Sequence, residues 1–421
     1  MGKRAPEREG LRAVGLGLIT GAADDDPSAI GTYASAGAAL GPSFLWTAPV
    51  TFPMMFAVVY LSSKLGQVSG QGLFGVIRAT YSRKILYAAL VVVLIGNTIE
   101  AAADLGGMAA ALGLLVPIPF VVGVIAIAFA IVTLQIIGSY KLIRNVFRWL
   151  ALTLLAYIGA AFLAHPDWRT VISGTVIPHI RFDREFLSLL VAVIGTTLSA
   201  YLYSWQSNEE VEEKIEHGAI ELEQRRGASE GELRRSRRDI WIGMAFSNII
   251  MYFVILSTSA TLYRAGENHI STAAQAAEAL TPLAGRGAAL LFTLGIVAVG
   301  FLAVPVMTTG AAYDVAQTLG WRHGLYAKFH QARRFYYAII GFTVIAVALN
   351  FIGLNPMRAL VWSGIVQGFS TPPLLLLIML MTNKPSVMGD RVNGPGINVL
   401  GWFTTAATFA VTVALVVTWF L

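Results

Sequence analysis

The chain has 421 residues, of which 56% are hydrophobic and only 13% charged, and it contains no cysteine. Soluble domains are about a quarter charged, so this composition excludes an ordinary soluble protein, and the lack of cysteine excludes disulfides and thiolate metal sites. The net charge of +6 does not indicate nucleic-acid binding, because the basic residues are concentrated in alternate loops of a membrane protein.

About eleven apolar stretches of roughly 18 residues or more predict membrane-spanning helices. They are far too long for β-barrel strands of about ten residues, so we expect an all-α polytopic bundle. No polar stretch is long enough to build a core of its own, so 1–421 is predicted to be one transmembrane domain. In chain order the segments are 13–40, 43–63, 85–115, 119–138, 147–164, 186–206, 240–263, 286–318, 335–355, 357–382 and 396–421.

The distribution of Lys and Arg predicts the orientation of the bundle, because inner loops are enriched in basic residues. With the N-terminus in the cytoplasm and eleven crossings, the C-terminus lies outside. The outer loops then contain only Arg169, Arg181, Arg184, Arg264, Arg286 and Arg358. The inner side contains Lys3, Arg4, Arg8, Arg12, Lys64, Arg78, Arg83, Lys84, Lys141, Arg144, Arg148, the loop from Lys214 to Arg238, the stretch from Arg322 to Arg334, Lys384 and Arg391.

The first apolar segment is interrupted by GAADDDPSAIGT at 21–32. Pro27 disfavours helical geometry at Asp26, so the helix should unwind there. Unwound backbone at membrane depth survives where it lines a cavity, and its carbonyl oxygens beside a carboxylate suit a hard cation. We take Asp26 as the ligand and place Asp24 and Asp25 along an access path or outer vestibule. The alternative is a short surface loop between two half-length helices.

A second interruption, TTLSAYLYSWQS at 196–207, falls in the sixth segment. Paired broken helices in corresponding positions of two halves indicate a transporter with inverted repeats. The prediction is therefore two five-helix repeats, about 13–164 and 186–382, followed by an extra helix at 396–421.

The stretch GLGLITGAADDDPSAIGT resembles the first helix of the Nramp family of divalent-metal transporters, and IGTTLSAYLYSWQ occupies the place of its broken sixth helix. NTIEAAADLGGMAAALGLL and LGIVAVGFLAVPVMTTGAAYDVAQ also fit, so the resemblance covers nearly the whole chain. It is most similar to the bacterial Nramp-related magnesium transporters. The resemblance implies a LeuT-like fold, with helices 1 and 6 unwound mid-membrane, in a bacterial inner membrane. It also implies a metal-ion substrate with no cofactor and no enzymatic activity, in a monomer or loose dimer.

The resemblance also implies a metal site, and this sequence departs from the family there. Asp26 and Pro27 keep the family residues, Ala29 replaces an asparagine, and Ser199 stands where transition-metal transporters have methionine. A thioether favours soft metals, so its replacement by a hydroxyl favours a hard ion. The site is also predicted to include a carbonyl oxygen of Thr196 and to be lined by small side chains, which leave room for water. We therefore expect it to take largely hydrated Mg²⁺, and Mn²⁺ as well.

The second departure from the family concerns the residues that couple transport to protons. Tyr201 stands at the position of the motif histidine, and all six histidines fall in predicted loops, so we expect no proton coupling. Glu100 and Asp104 in the third segment share a helical face. They are candidates for binding or hydrating the cation, for a structural hydrogen bond, or for a residual proton path.

Several alternatives remain open at this point. The main one is a proton-coupled Mn²⁺ or Fe²⁺ importer, followed by a sodium-coupled transporter of an organic solute on the same fold. An intramembrane protease lacks a second acid in a matching motif, and a channel does not need paired broken helices. Gln367 faces either the site or a neighbouring helix, and we favour helix packing. The polar stretch 207–239 is interpreted as a cytoplasmic helix–turn–helix end that forms a solvated charged loop.

Overall fold

The computed structural model describes residues 16–137 and 152–420, and in these ranges the secondary structure is helical, with no strand. The predicted basic positions 3–12 and 141–148 and the start of the fifth segment lie outside them. The α-helices are α1 (Leu16–Asp24), α2 (Pro27–Leu40), α3 (Thr47–Ser69), α4 (Leu73–Thr80), α5 (Arg83–Leu112), α6 (Phe120–Ile137), α7 (Ala156–Leu163), α8 (Trp168–Val176), α9 (Arg184–Thr197), α10 (Ala200–Glu216), α11 (Leu222–Arg225), α12 (Glu230–Thr258), α13 (Ala273–Glu278), α14 (Thr281–Ala284), α15 (Ala288–Leu319), α16 (Arg333–Leu349), α17 (Pro356–Thr382), α18 (Pro385–Met388) and α19 (Pro395–Val417). A π-helical turn, Ser259–Tyr263, continues α12.

The predicted segments correspond to helices along the described chain. Two shorter apolar helices, Phe120–Ile136 and Thr153–Leu163, match the fourth and fifth segments, and α1 with α2 matches the first. The all-helical polytopic fold is confirmed, whereas the division into repeats at 13–164 and 186–382 stays a prediction. The stretches long and apolar enough to cross a membrane are Thr47–Ser69, Arg83–Leu112, Arg184–Glu216, Glu230–Tyr263, Thr281–Leu319, Arg333–Ile352, Pro356–Thr382 and Pro395–Val417.

The bundle has two ends, which we name after the residues at which α2 and α10 stop. Leu40 ends α2 at one of them, and α3 runs from there to Ser69. Near the last turn of α3, the carbonyl of Val68 accepts a hydrogen bond of 2.8 Å from the amide of Gly227, in the connection between α10 and α12 that contains α11. The Leu40 end and the Glu216 end are therefore opposite ends of the bundle.

The first predicted break lies between α1 and α2. Helix α1 ends at Asp24, and α2 begins at Pro27 with Asp26 as its N-cap in an extended conformation. Proline is favourable at this first helical position because its missing amide hydrogen would have no partner there, and its fixed φ suits the helix. Asp26 accepts from the amide of Ala29, which is the usual hydrogen bond of an N-cap aspartate.

The second break separates α9 from α10 without a proline. Leu198 has φ −115° and ψ 38°, and the extended Ser199 precedes the first residue of α10. The carbonyl oxygen of Leu198 accepts from the hydroxyl of Thr371 at 2.8 Å and from that of Tyr203. These hydroxyls satisfy the backbone group that the break frees, because an unpaired buried carbonyl would cost free energy.

Close helix contacts hold the second break against α17. A Cβ placed on Gly195 would lie 2.0 Å from the carbonyl oxygen of Gly364 and 2.3 Å from the amide nitrogen of Gly368. Only a residue without a side chain permits this approach of α9 to α17, as is typical of small residues at helix interfaces in membranes.

The helix–turn–helix form predicted for 207–239 is observed, since α10 ends at Glu216 and α12 begins at Glu230, but the predicted solvation is wrong for its first residues. Helix α10 continues to Glu216, and Ser207, Asn208 and Glu210 are buried. The hydroxyl of Ser207 accepts from the amide of Leu73 at 3.0 Å, and a carboxyl oxygen of Glu210 accepts from Ser63 at 2.6 Å. Charged residues in this stretch pack against neighbouring helices, which local composition does not reveal.

Candidate cation-binding site

Asp26 lies in the gap between α1 and α2, with both carboxyl oxygens held by donors. Its Oδ1 accepts from the Ser28 hydroxyl at 2.8 Å and from the Ala29 amide at 2.6 Å. Its Oδ2 lies 3.1 Å from the hydroxyl of Tyr201, which also lies 2.8 Å from the carbonyl oxygen of Ala23. A hydroxyl has a single proton, so Tyr201 donates to one of the two at a time. Asp26 is therefore oriented by α2 on one side and by α10 on the other.

Ser28 connects Asp26 to the two acids of α5. The amide of Ser28 donates to Asp104 Oδ1 at 2.9 Å, and its hydroxyl lies 3.5 Å from Glu100 Oε1. Glu100 and Asp104 are four residues apart and so share a face of α5, which here meets the first break. Three carboxyl groups therefore surround one serine.

Ser199 brings the second break into the same cluster. Its hydroxyl lies 3.0 Å from Glu100 Oε1 and 2.9 Å from the carbonyl oxygen of Thr196. Ser28 approaches the same Oε1 atom from the first break. The two interrupted helices thus meet at a single carboxyl oxygen of α5.

Two buried oxygen atoms of the predicted site residues have no hydrogen-bond partner among the described residues. They are Oδ2 of Asp104 and the hydroxyl of Thr196. Ala29, also predicted to belong to the site, contributes its amide to Asp26 and has only a methyl side chain. An unsatisfied buried oxygen costs about 1–3 kcal/mol, so these atoms are suited to binding a cation or its water.

Gln367 belongs to this cluster, so the structure supports the site-facing alternative over the favoured helix-packing one. From α17 its amide nitrogen donates to Glu100 Oε2 at 2.6 Å and lies 3.3 Å from the side-chain oxygen of Asn97. It is fully buried. A polar side chain in an apolar helix faces the bundle interior, and that signal could have identified Gln367 in the sequence.

Asp24 and Asp25 face a different neighbour. The hydroxyl of Ser247 on α12 lies 2.6 Å from Asp24 Oδ2 and 3.0 Å from Asp25 Oδ1. Both aspartates are fully buried, so in this structure neither lines an open outer vestibule. Their hydrogen-bond partner therefore differs from those of Asp26, which are Ser28, Ala29 and Tyr201.

The central acids are enclosed and lack cationic partners. Asp26, Glu100 and Asp104 are each 0% exposed, and no described Lys or Arg forms an ion pair with them. Across 16–137 and 152–420, no group of three or more Asp, Glu or His side chains stands ready to hold a metal ion. Buried carboxylates are tolerated when they are protonated, paired or bound to a cation. The cluster therefore needs protons or a bound cation to offset its charge.

Buried acids at the meeting point of two interrupted helices, within a bundle of membrane-length helices, define a membrane transport protein. The family follows from the sequence match: the model described as natural resistance-associated macrophage protein-like matches residues 17–418. The chain belongs to this family, Nramp, as the resemblance of its broken helices indicated.

Relatives with functional names are similar over nearly the full length. The divalent metal cation transporter MntH of Granulibacter bethesdensis is 26% identical over 421 aligned positions, which cover 96% of this chain and 87% of the relative. The protein of the same name from Klebsiella pneumoniae (strain 342) is 25% identical, with 96% of this chain and 93% of the relative covered.

Solved structures share the fold. A crystal structure of the Eremococcus coleocola manganese transporter has a TM-score of 0.71 at 18% identity, covering 99% of this chain and 88% of that one. The inward-facing conformation of Mhp1 has a TM-score of 0.54 at 13% identity, covering 96% of this chain and 90% of the other. These likenesses confirm the LeuT-like architecture that the family resemblance implied.

Proposed function

We propose that the protein imports divalent metal cations by alternating access, with Mg²⁺ as the main substrate and Mn²⁺ as a second. One observation carries the proposal: the carboxyl groups of Asp26, Glu100 and Asp104 converge on Ser28 while no described Lys or Arg pairs with them. A bound dication offsets this buried charge. The names of the relatives, divalent metal cation transporter and manganese transporter, support the substrate class.

The donor atoms favour a hard ion. Carboxyl oxygens, hydroxyls and a backbone carbonyl approach the two breaks, and Ser199 stands where transition-metal transporters of the family have methionine. Hard cations prefer oxygen ligands, and Mg²⁺ keeps several waters while binding one or two carboxylates. In this proposal Asp26 and the Thr196 carbonyl contact the ion, and Glu100 and Asp104 hold its water shell.

Import without proton coupling is the second part of the proposal. Tyr201 occupies the place of the family histidine and donates towards Asp26, and the six histidines lie outside the α-helices of the described chain. Tyrosine titrates near pH 10, so it does not exchange protons near neutral pH. A membrane potential of 100 mV provides about 2.3 kcal/mol per charge, hence about 4.6 kcal/mol for a dication, which is sufficient to drive uptake.

The proposed orientation places the Glu216 end in the cytoplasm of a bacterial cell. The basic loop after α10 lies at this end, where Lys214 donates to the carbonyls of Gln67, Arg225 and Gly227. Inner loops are enriched in Lys and Arg, which supports this assignment. The Leu40 end then faces outwards, and ions enter there and leave at the Glu216 end. A monomer or loose dimer is proposed, without a nucleic-acid partner or a cofactor.

The test is uptake into proteoliposomes that contain a pH dye, with an inside-negative potential and Mg²⁺, Mn²⁺ or Ca²⁺ outside. We expect Mg²⁺ and Mn²⁺ to enter without acidification of the lumen. Asp26→Asn removes one buried carboxylate with little change of shape and should abolish uptake, whereas Asp390→Asn, at an exposed position, is the matched control and should not.

The outcomes separate the candidate functions. Uptake of Mn²⁺ with acidification of the lumen and without Mg²⁺ entry would show that the protein is a proton-coupled Mn²⁺ or Fe²⁺ importer. That alternative is favoured by one observation, the buried Glu100 and Asp104 on α5, which can take protons as well as hold waters. Equal uptake by Asp26→Asn and the unsubstituted protein would contradict the assignment of the site.

A further inference from the structure

Asp314 is a buried acid that the central cluster does not use. It lies on α15, is 0% exposed, and its Oδ1 accepts from the hydroxyl of Ser204 on α10. Its Oδ2 is buried and has no hydrogen-bond partner among the described residues. A carboxyl group in this condition costs free energy in the folded protein unless a ligand or a proton offsets it.

Ser204 connects this acid to the central site along α10. It lies one helical turn beyond Tyr201, whose hydroxyl reaches Asp26 at 3.1 Å. One turn further, the side-chain oxygen of Asn208 accepts from the amide nitrogen of Gln317 on α15 at 2.5 Å. Polar groups therefore follow each other along the contact between α10 and α15.

The same series continues to the Glu216 end. Tyr313 on α15 donates to Glu212 Oε1 at 2.6 Å, and Glu212 also accepts from the amides of Leu325 and Tyr326 in the loop beyond α15. Apolar side chains would be sufficient to pack these two helices. Polar and ionisable groups in such a position are costly, and they mark a pathway for ions or substrates.

We propose that Asp314 and Ser204 form a second cation station, through which the ion passes between the Asp26 site and the Glu216 end. This inference rests on the proposed transport of divalent cations. A carboxylate oxygen, a hydroxyl and retained water suit Mg²⁺ or Mn²⁺. The station lies one turn below Tyr201, on the side of the central site that faces the Glu216 end, and with one carboxylate it is expected to bind the ion weakly enough to release it.

The test counts bound Mn²⁺ in the purified full-length protein by the electron paramagnetic resonance signal of the free ion. Asp26→Asn should lose the tighter site and keep a weaker one. Adding Asp314→Asn should weaken this remaining binding by about tenfold or more. Asp26→Asn with Glu210→Gln is the matched control, since Glu210 is a buried carboxylate on α10, the helix of Ser204, and already accepts from Ser63 and Gln206.

Transport provides the second measurement. Asp314→Asn alone should lower the maximal rate of Mn²⁺ uptake by roughly tenfold and leave KM within about twofold, because the ion still enters the central site. Ser204→Ala, which preserves the buried acid and is expected to fold, should lower the rate by a smaller factor in the same direction.

Each outcome decides one question. Absence of Mn²⁺ binding to the unsubstituted protein, together with absence of Mg²⁺ and Mn²⁺ uptake, would refute the proposed function itself. Normal binding and an unchanged uptake rate in Asp314→Asn would refute only the second station. Loss of both sites in the single Asp314→Asn variant would show that Asp314 supports the central site and is not a separate station.

Discussion

Leu360 on α17 lies between the Leu40 end and the site of Asp26, and we expect it to close the route between them. It is 2% exposed and fills the gap between α2 and α5. A Cβ placed on Gly31 would lie 2.7 Å from Leu360 Cδ1, and one on Gly107 would lie 3.1 Å from Leu360 Cδ2. Gly31 and Gly107 each follow a residue of the site, Ser28 and Asp104, by three positions, so Leu360 lies one turn beyond the acids. The next residue, Val361, helps to line a cavity of about 240 Å³.

Leu360→Ala should therefore favour opening at this end. Truncation of a buried leucine costs about 2–5 kcal/mol, and the cost depends on how well the space can collapse. Here the truncation destabilises mainly the closed arrangement. In the open arrangement α17 has separated from α2, so residue 360 no longer packs in the gap and its truncation costs little. A difference of only about 2 kcal/mol changes the ratio of open to closed molecules by about 30-fold.

The assay uses the lack of native cysteine in the chain. A single Thr32→Cys substitution places a thiol on α2 beside Leu360, whose carbonyl oxygen lies 3.4 Å from the Thr32 hydroxyl. Thr32 is fully buried, so a membrane-impermeant thiol reagent should label the cysteine slowly. In the Leu360→Ala background the labelling rate should rise by about 30-fold, in proportion to the open population.

Val361→Ala is the control, since Val361 is half-buried beside Leu360 on the same helix and lines the cavity. It should leave the labelling rate nearly unchanged. The reasoning is wrong if Leu360→Ala leaves the rate unchanged, or if Val361→Ala raises it equally. Either result would mean that the packing of Leu360 against the two glycines does not hold this end closed.

Three further substitutions test other parts of the argument. Ser199→Met adds a soft ligand beside Glu100 and should raise the ratio of Mn²⁺ to Mg²⁺ uptake by about tenfold in proteoliposomes; an unchanged ratio would count against the softness argument. Gly195→Ala forces a Cβ against the backbone of α17 and should cost about 1–3 kcal/mol, seen as a fall of several degrees in Tm. Gly341→Ala, with open space around the new Cβ, should not lower Tm. Gln367→Leu removes the donor to Glu100 Oε2 and should raise KM for Mg²⁺ by roughly tenfold. Gln135→Leu, which removes bonds to Thr308 and Thr309 away from the site, should leave KM unchanged.

The sequence by itself determined the membrane class, the order of the helices and the first break. These follow from local properties: long apolar runs cross a membrane, and Pro27 forces the chain to begin a new helix beside Asp26. The spacing of Glu100 and Asp104 likewise placed both acids on one helical face before their partners were known. The family resemblance added Ser199, whose hydroxyl contacts Glu100, and Thr196, whose carbonyl oxygen lies beside the Ser199 hydroxyl.

Only the tertiary structure decided which polar groups share a site. Gln367 reaches Glu100 from α17, and Thr371 satisfies the carbonyl of Leu198, although each pair is far apart in the chain. Asp314 stands out in the sequence as the only charged residue of α15, but its contact with Ser204 and its unpartnered oxygen became visible only in the structure. Helical periodicity gives the face on which a residue lies, but the packing of distant helices decides what that face meets.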